Sequence, residues 1–241
     1  MKIAIIGAGF FGATAALKLS KYHDVDLFEK NKDILNGASK INQFRFHRGF
    51  HYPRSKKTLN EIKSSYKLFI NFFSDKVFEK TSNFYGVSNK ESKISYNSYL
   101  KVLKKFKLKY KVTNQKFDNI SNLLLTNEKV LNYFKFKKIL KRKLKNSKIN
   151  LYLNTQLKKA QINNYDKIII CTYSENNKIL NNFSKIHKPK KNRYELIEKI
   201  VVKLPNKYRK KSYVIIDGKF VCLDPYLGTN YHLLSDVKYS K

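Results

Sequence analysis

The pattern of apolar and polar positions near the start of the chain predicts a strand, a helix and a second strand. The apolar run at residues 2–6 has the length of a buried parallel strand. Residues 13–21 read as a helix with an apolar side, and the run at 25–28 predicts the next strand. This order is that of a βαβ unit with parallel strands.

Further along, helical and strand-like patterns alternate. Apolar residues at helical spacing predict amphipathic helices at 57–76, 98–108 and 134–146. Alternating residues with turn signals predict hairpins within 78–96. The remaining apolar runs predict strands, at 149–153, 167–171, 195–204, 213–217, 220–223 and 231–237.

Asp217-Gly218 lies between two of these runs and predicts a hairpin turn. The element order therefore predicts an α/β chain, with a Rossmann-type domain interrupted by an α+β domain that carries an antiparallel sheet. We expect the Rossmann-type domain at 1–76 and 148–186, and the second domain at 77–147 and 187–241.

Three glycines mark the turn between the first strand and the first helix. Gly7, Gly9 and Gly12 are spaced so that the turn is tight and the backbone can approach a pyrophosphate closely. The N-terminus of the following helix directs N–H groups and partial positive charge at such a group. Glu29 closes the second strand, where an acidic residue binds the ribose of an adenosine. The sequence thus predicts a dinucleotide site.

Composition adds a strong positive charge. The 241 residues hold 51 Lys and Arg against 17 Asp and Glu, a formal charge of +34. The lysines are scattered along the chain, and a helix such as 134–146 places them opposite its apolar face. We interpret them as solvated surface charge that attracts polyanions without specificity, and we expect no specific nucleic-acid partner. A basic nucleic-acid-binding module stays an alternative.

The two cysteines, Cys171 and Cys222, are far apart and lack metal-type spacing. No apolar stretch reaches the length of about 18 residues that a membrane span requires. We therefore expect a soluble, cytoplasmic protein without a transmembrane segment and without a bound metal.

A second cluster of candidate residues lies at 37–55. Arg45, Arg48 and Arg54 are three of only six arginines in a lysine-rich chain, and His47 and His51 lie among them. The use of arginine here, in a chain that otherwise uses lysine, suggests that these side chains bind a ligand through two hydrogen bonds of the planar guanidinium group. In an extended strand Arg45, His47 and His51 would share one side and converge on one ligand. A basic strand that faces phosphate or RNA, or simply solvent, is the alternative.

At these residues the chain resembles the FAD-dependent oxidoreductases of the D-amino-acid oxidase and glycine oxidase superfamily. The glycine motif with Glu29 matches the family's dinucleotide fingerprint, and residues 37–39 match the small-residue turn that follows it. Residues 42–55 are similar to the flavin-facing segment of branches that oxidise 2-hydroxyglutarate and glycerol-3-phosphate. Residues 165–172 match a later strand.

The resemblance implies an FAD cofactor and oxidation of a C–H bond next to an amine or hydroxyl, by hydride transfer to the flavin. A small amino or hydroxy acid would be the substrate, with Arg45 pairing with its carboxylate and His47 or His51 accepting a proton or orienting its hydroxyl. Tyr226 and Tyr231 are weaker candidates. The predicted cofactor-binding residues are Gly7, Gly9, Phe11, Gly12, Glu29, Lys30, Ser39, Asn42, Leu157 and Thr172.

Three departures from the family pattern stand out. Phe44 and Tyr173 occupy positions where relatives commonly have glycine, and the family's C-terminal flavin-binding helix is not found before Lys241. A C-terminal partner chain or a homo-oligomer would supply such an element. The alternative function is that of a truncated, non-catalytic nucleotide-binding remnant or half of a split flavoprotein.

Overall fold

A computed structural model describes residues 1–183, 192–218 and 221–237 of the chain. It divides into two compact units. Unit 1 comprises Met1–Asn42 and Lys137–Glu195, and unit 2 comprises Gln43–Phe136 and Leu196–Lys241. Residues 43–76, expected in the nucleotide-binding domain, thus lie in unit 2, and 137–147 lie in unit 1. The expected boundary at 186/187 is outside the described residues.

Five α-helices occur in the described ranges. Their bounds are α1 (Phe10–Leu19), α2 (Lys56–Phe73), α3 (Tyr96–Lys105), α4 (Tyr133–Lys145) and α5 (Asn176–Phe183). The strands described by the structure are β1 (Lys2–Ile6), β2 (Asp24–Phe28), β3 (Arg45–Phe46), β4 (Phe78–Glu79), β5 (Ser82–Val87), β6 (Tyr110–Val112), β7 (Leu124–Thr126), β8 (Lys129–Leu131), β9 (Ile149–Tyr152), β10 (Lys167–Ile170), β11 (Ile200–Lys203), β12 (Lys211–Ile216), β13 (Val221–Pro225) and β14 (Tyr231–Asp236).

Unit 1 contains a four-stranded parallel sheet in the order β10-β1-β2-β9. Its interior includes Ala4, Ile6, Phe28 and Leu157. Because β1 is central, its apolar residues are covered by neighbours on both edges, as the run at 2–6 predicted. Strand β10 is at one edge and its isoleucines are only half buried. The sequence thus identified β10 correctly as a strand, but one less buried than its apolar run suggests.

Unit 2 contains a seven-stranded sheet in the order β11-β14-β13-β12-β5-β7-β6 and a small sheet in the order β3-β8-β4. The large sheet is antiparallel except where β12 runs parallel to β5. A buried core packs on it, with Phe50, Tyr85, Tyr99 and Leu103 among its members. The predicted fold class, a Rossmann-type unit interrupted by an α+β unit, is confirmed.

Strand pairing differs from the expectation in two places. The hairpins expected within 78–96 do not form: β4 pairs with β8, while β5 pairs with β12 and β7. The extended strand expected over 45–51 ends after Phe46, and a turn follows in which Gly49 has a φ of +117°. By contrast β12 and β13, on either side of Asp217-Gly218, are antiparallel neighbours as predicted, while residues 219 and 220 lie outside the described residues.

Candidate functional site

A cleft of about 1100 Å³ opens in unit 1 at the carboxyl ends of β1 and β2. In parallel α/β sheets this edge is where ligands bind. The glycine turn, the residues after β2, the 37–42 segment and the residues after β10 all line it. Its volume exceeds that of an ordinary small-ligand pocket and is sufficient for a dinucleotide.

The glycine turn brings β1 and α1 together so closely that side chains are excluded. Gly7 has a φ of +97°, a conformation that favours glycine. A Cβ added at Gly12 would lie 1.8 Å from the Gly7 carbonyl oxygen. Gly12 therefore lies beneath the turn and shapes the cleft, while Gly7 and Gly9 line it.

Glu29 is 7% exposed and faces the glycine turn. The Ala8 N–H donates to its Oε2 at 2.8 Å, and Asn31 donates to its Oε1 from the backbone at 2.9 Å and from Nδ2 at 2.7 Å. Each carboxylate oxygen can accept two hydrogen bonds. Oε2 thus has capacity for one further donor, such as a ribose hydroxyl.

The N-terminus of α1 opens onto the same cleft. Ser39 Oγ accepts a hydrogen bond from the Phe10 N–H at 3.0 Å, and Asn42 Nδ2 donates to the Ser39 carbonyl at 3.2 Å. Phe11 and Gly12 carry the next N–H groups, which have no acceptor within the helix. This geometry suits an anion such as a pyrophosphate.

The structure gathers the other predicted cofactor residues around the cleft as well. Lys30 forms an ion pair with Glu175, with both carboxylate oxygens within 2.8 Å of Nζ. Leu157 supplies a buried apolar surface, and Thr172 donates to Asn176 from both its N–H and its hydroxyl. Nine of the ten predicted residues line the cleft, the exception being Gly12.

Asn31 and Glu175 were missed by the sequence analysis. Asn31 orients Glu29, and Glu175 pairs with Lys30 at the cleft wall. The sequence position of Asn31, two residues after the acidic residue that ends β2, could have indicated its role. Glu175 has no such signal, because it is 145 residues from its partner.

Phe44 and Tyr173 keep the backbone conformation that glycine favours. Their φ angles are 53° and 56°, in the left-handed region. Phe44 is buried in unit 2 and stacks on Tyr226, with ring centroids 5.5 Å apart. Tyr173 lines the cleft in unit 1 and is 76% exposed. Both substitutions thus leave the local backbone in a glycine-like form.

Unit 2 holds a buried cluster of charged and polar groups around Arg45. The Arg45 side chain is 0% exposed. Its Nε donates to Glu128 Oε1 at 2.9 Å, and its Nη1 donates to Asp224 Oδ1 at 2.6 Å. Ser212 contacts the same nitrogen and donates to Asp224 at 2.6 Å. Because the guanidinium is enclosed by two carboxylates, the expected role of Arg45 as a substrate clamp is corrected to that of an internal ion-pair centre.

The other two arginines of the segment also have partners within unit 2. The Arg48 guanidinium lies over the Tyr66 ring, 4.4 Å from its centroid. Arg54 forms an ion pair with Asp217. The concentration of arginine at 45–54 is therefore explained by packing and ion pairs inside the unit.

Glu128 connects this cluster to the histidines. Besides Arg45, its Oε1 accepts from the Tyr85 hydroxyl at 2.8 Å and lies 3.3 Å from His47 Nδ1. Burial alone raises the pKa of Glu128, but Arg45 and His47 outweigh it and hold the pKa at about 2. Glu128 was not singled out from the sequence, since an isolated glutamate in a loop carries no motif.

His47 and His51 lie side by side, with ring centroids 5.2 Å apart. The structure thus brings both together with the Arg45 cluster, although through a turn and not through the expected strand. Burial, together with the nearby His47 and Arg45, lowers the pKa of His51 to about 4. His51 is consequently neutral at physiological pH. Tyr226 stacks on Phe44 and Phe134, and Tyr231 is half exposed.

Comparisons with known proteins agree with the fold and with the cleft. Residues 2–107 match the family model described as DAO, FAD dependent oxidoreductase. The FAD-dependent monooxygenase FPY4 of Fusarium mangiferae is 33% identical over 102 residues, which are 42% of this chain and 28% of that protein. The matched part of the chain thus spans just over a quarter of that relative's length.

Solved structures resemble nearly the whole chain. L-proline dehydrogenase from P. horikoshii has a TM-score of 0.71 at 14% identity, over 98% of this chain and 69% of that one. L-alpha-glycerophosphate oxidase from Mycoplasma pneumoniae, whose structure contains FAD, has a TM-score of 0.64 at 17% identity, over 97% of this chain and 70% of that one. At these identities the likeness establishes the fold.

The resemblance inferred from the motifs is therefore confirmed: the chain is similar to FAD-dependent oxidoreductases in sequence at its N-terminal part and in fold throughout. The expected class of enzyme and the expected cofactor, FAD, agree with these matches. In the described part of the chain, none of the helices combines the length and the apolar character needed to cross a bilayer. The predicted cytoplasmic location stays a prediction.

Proposed function

We propose that this chain binds FAD through unit 1 and oxidises a C–H bond next to an amine or hydroxyl of a small carboxylate-bearing substrate. The observation that carries the proposal is the position of Glu29. Its carboxylate is hydrogen-bonded to the glycine turn, borders an open cleft and retains acceptor capacity there. This combination suits the ribose of an adenosine whose pyrophosphate lies at the N-terminus of α1.

Different residues of the cleft would bind different parts of the adenosine diphosphate moiety of FAD. Glu29 and Asn31 would bind the ribose, and the N–H groups of α1 with Ser39 would bind the pyrophosphate. Leu157 would pack against the adenine. When bound, FAD supplies an acceptor for two electrons and a proton equivalent, which no amino-acid side chain offers.

In unit 2, His47 and His51 differ in what they can do during the oxidation. His51 remains neutral because its pKa is about 4. His47 is 23% exposed and is supported by an ionised carboxylate, so it is the better proton acceptor. The structures of a proline dehydrogenase and a glycerophosphate oxidase share the fold, and they lend support to amine and hydroxyl substrates alike.

Binding of FAD is tested with Glu29→Gln. The variant keeps the size of the side chain but loses the negative charge and one acceptor, and we expect FAD affinity to fall by about 1–3 kcal/mol. Titration calorimetry with FAD measures this change. Glu61→Gln, on an exposed position of α2, is the control and should bind FAD as the wild type does. Equal FAD affinity of the wild type and both variants would show that Glu29 does not contribute to FAD binding.

Turnover is tested separately, by adding amino and hydroxy acids to the FAD-loaded protein without oxygen. Loss of the flavin absorbance near 450 nm on addition of one substrate class would support the proposal. FAD binding without reduction by any of these compounds would contradict the proposed oxidation and favour the nucleotide-binding alternative.

A further inference from the structure

Glu128 is a buried carboxylate that the cofactor site does not use. It follows β7 and precedes β8, in a part of unit 2 far along the chain from the histidine segment. Its side chain is 0% exposed. Four groups meet its two oxygens: Arg45 Nε, the Tyr85 hydroxyl, His47 Nδ1 and the Arg48 backbone N–H, which is 3.2 Å from Oε2.

Glu128 faces one particular ring nitrogen of His47, Nδ1. A carboxylate only accepts hydrogen bonds, so the nitrogen that faces it carries the proton in the neutral ring. Within the described residues Nδ1 makes no hydrogen bond of normal geometry, and the Glu128 carboxylate is the ionic group that faces it. The separation of 3.3 Å is long and off the ideal direction, as catalytic pairs often are before substrate is bound. With Nδ1 protonated, Nε2 has the lone pair.

The buried cluster holds two carboxylates and one guanidinium. Glu128 and Asp224 contribute two negative charges, and Arg45 balances one of them. Lys199 also interacts electrostatically with Asp224, so the carboxylate that an imidazolium at position 47 would face is Glu128. This is the arrangement expected where a histidine gains a proton during a reaction, since the compensating charge is in place beforehand.

The two rings that lie beside His47 do not supply a competing positive charge. His51 and Tyr52 are the rings beside it, with centroids 5.2 and 5.3 Å away. His51 is neutral at physiological pH, and burial raises the pKa of Tyr52, so both are uncharged. Arg45 is the nearby positive charge, and its Nε donates to the same Glu128 oxygen that His47 Nδ1 faces.

We propose that Glu128 is a positioning residue that holds His47 with Nδ1 protonated, so that Nε2 accepts the proton of the substrate's hydroxyl or amine. As that proton moves to Nε2, the O–H or N–H electron pair forms the C=O or C=N bond. The C–H hydrogen would leave with its electron pair as hydride, for which the FAD of the proposed function would be the acceptor. The turnover part of this inference rests on the proposed function, whereas the protonation pattern of His47 does not.

The first experiment is ¹⁵N NMR of the imidazoles in the wild-type protein, assigned with His47→Gln. The expected result is that neutral His47 carries its proton on Nδ1. A proton on Nε2 instead would overturn the proposal, whether or not the chain oxidises any substrate. This measurement needs no variant of Glu128 and so is independent of its effect on folding.

The second experiment compares Glu128→Gln with Asp224→Asn. Both remove one carboxylate charge from Arg45, but only Glu128 contacts His47. For Glu128→Gln we expect kcat to fall by about 10²-fold or more while KM changes little. The acidic limb of the pH–rate profile, where protonation of the base stops turnover, should move to lower pH because the negative charge beside His47 is gone. Asp224→Asn should leave that limb in place.

Equal effects of the two variants on kcat and on the pH profile would show that Glu128 acts only through the stability of the cluster, and would overturn the proposal. Failure of the proposed function would appear differently, as absence of flavin reduction in the wild type. The NMR result would then still decide whether Glu128 orients His47.

Discussion

Phe44 and Tyr173 show that single positions can retain a glycine-like backbone without glycine. Both have positive φ angles, which cost an ordinary residue about 1–2 kcal/mol. The cost is tolerated because each unit fixes the chain on both sides of the residue. At Phe44 the aromatic stack with Tyr226 also contributes.

We expect Tyr173→Gly to have a higher free energy of unfolding than Tyr173→Ala, by about 1 kcal/mol. Both variants remove the exposed ring, but only glycine is relieved of the strain of a positive φ. Urea unfolding of the two variants measures the difference. Equal stability, or a more stable alanine variant, would show that the backbone at this position is not strained.

His51 makes stability depend on pH through a single side chain. Its pKa is about 4 in the folded chain and about 6.5 when unfolded, so between these values the unfolded state binds more protons. Stability therefore rises with pH through this window and is lost on acidification. From pH 7 to pH 5 the loss from His51 is about 2 kcal/mol.

Urea unfolding at pH 7 and pH 5 tests this with His51→Gln as the matched variant. We expect the variant to lose less stability than the wild type over this range, because it has no proton to gain at position 51. Equal losses of unfolding free energy in the wild type and the variant would show that groups other than His51 cause the acid sensitivity.

Helices were predicted better than strand pairings because their signals are local. The bounds of α2, α3 and α4 lie within about three residues of the expected ranges. Serine caps help, since Ser55 and Ser95 each accept the N–H of the residue three positions on. The residues that pair with β4 and β5 are 39 to 129 positions away along the chain. Turn signals between 78 and 96 could therefore not identify these partners.

The strand-turn-helix at the start of unit 1 is the element on which cofactor binding depends. For Gly12→Ala we expect loss of FAD binding and a stability loss of about 1–3 kcal/mol, since the new Cβ would overlap the Gly7 carbonyl. Thermal unfolding and FAD titration measure the two effects. Gly37→Ala is the control for stability alone, because no protein atom lies within 4 Å of a Cβ there but Gly37 itself lines the cleft. Wild-type behaviour of Gly12→Ala would contradict the close packing of β1 and α1.

At the scale of the whole molecule, a charge of +34 makes self-repulsion a general cost of folding. Dissolved salt screens exposed charges and so weakens this repulsion. Between low and physiological ionic strength we expect the free energy of unfolding to rise by about 1 kcal/mol, which raises Tm by a few degrees. Calorimetric scans in NaCl and in KCl should agree, since screening depends on ionic strength. A Tm that is constant or falls with salt would show that repulsion does not limit stability.

The sequence by itself determined the βαβ unit, the glycine turn and the acidic residue at the end of β2. These features depend on residues within about thirty positions, where spacing and backbone conformation leave few alternatives. Only the tertiary structure decided that Arg45 is enclosed by Glu128 and Asp224, and that Glu128 meets His47. The residues of these pairs are 83, 179 and 81 positions apart in the chain. Whether a charged side chain is buried depends on how the whole unit packs around it, and local sequence does not show this.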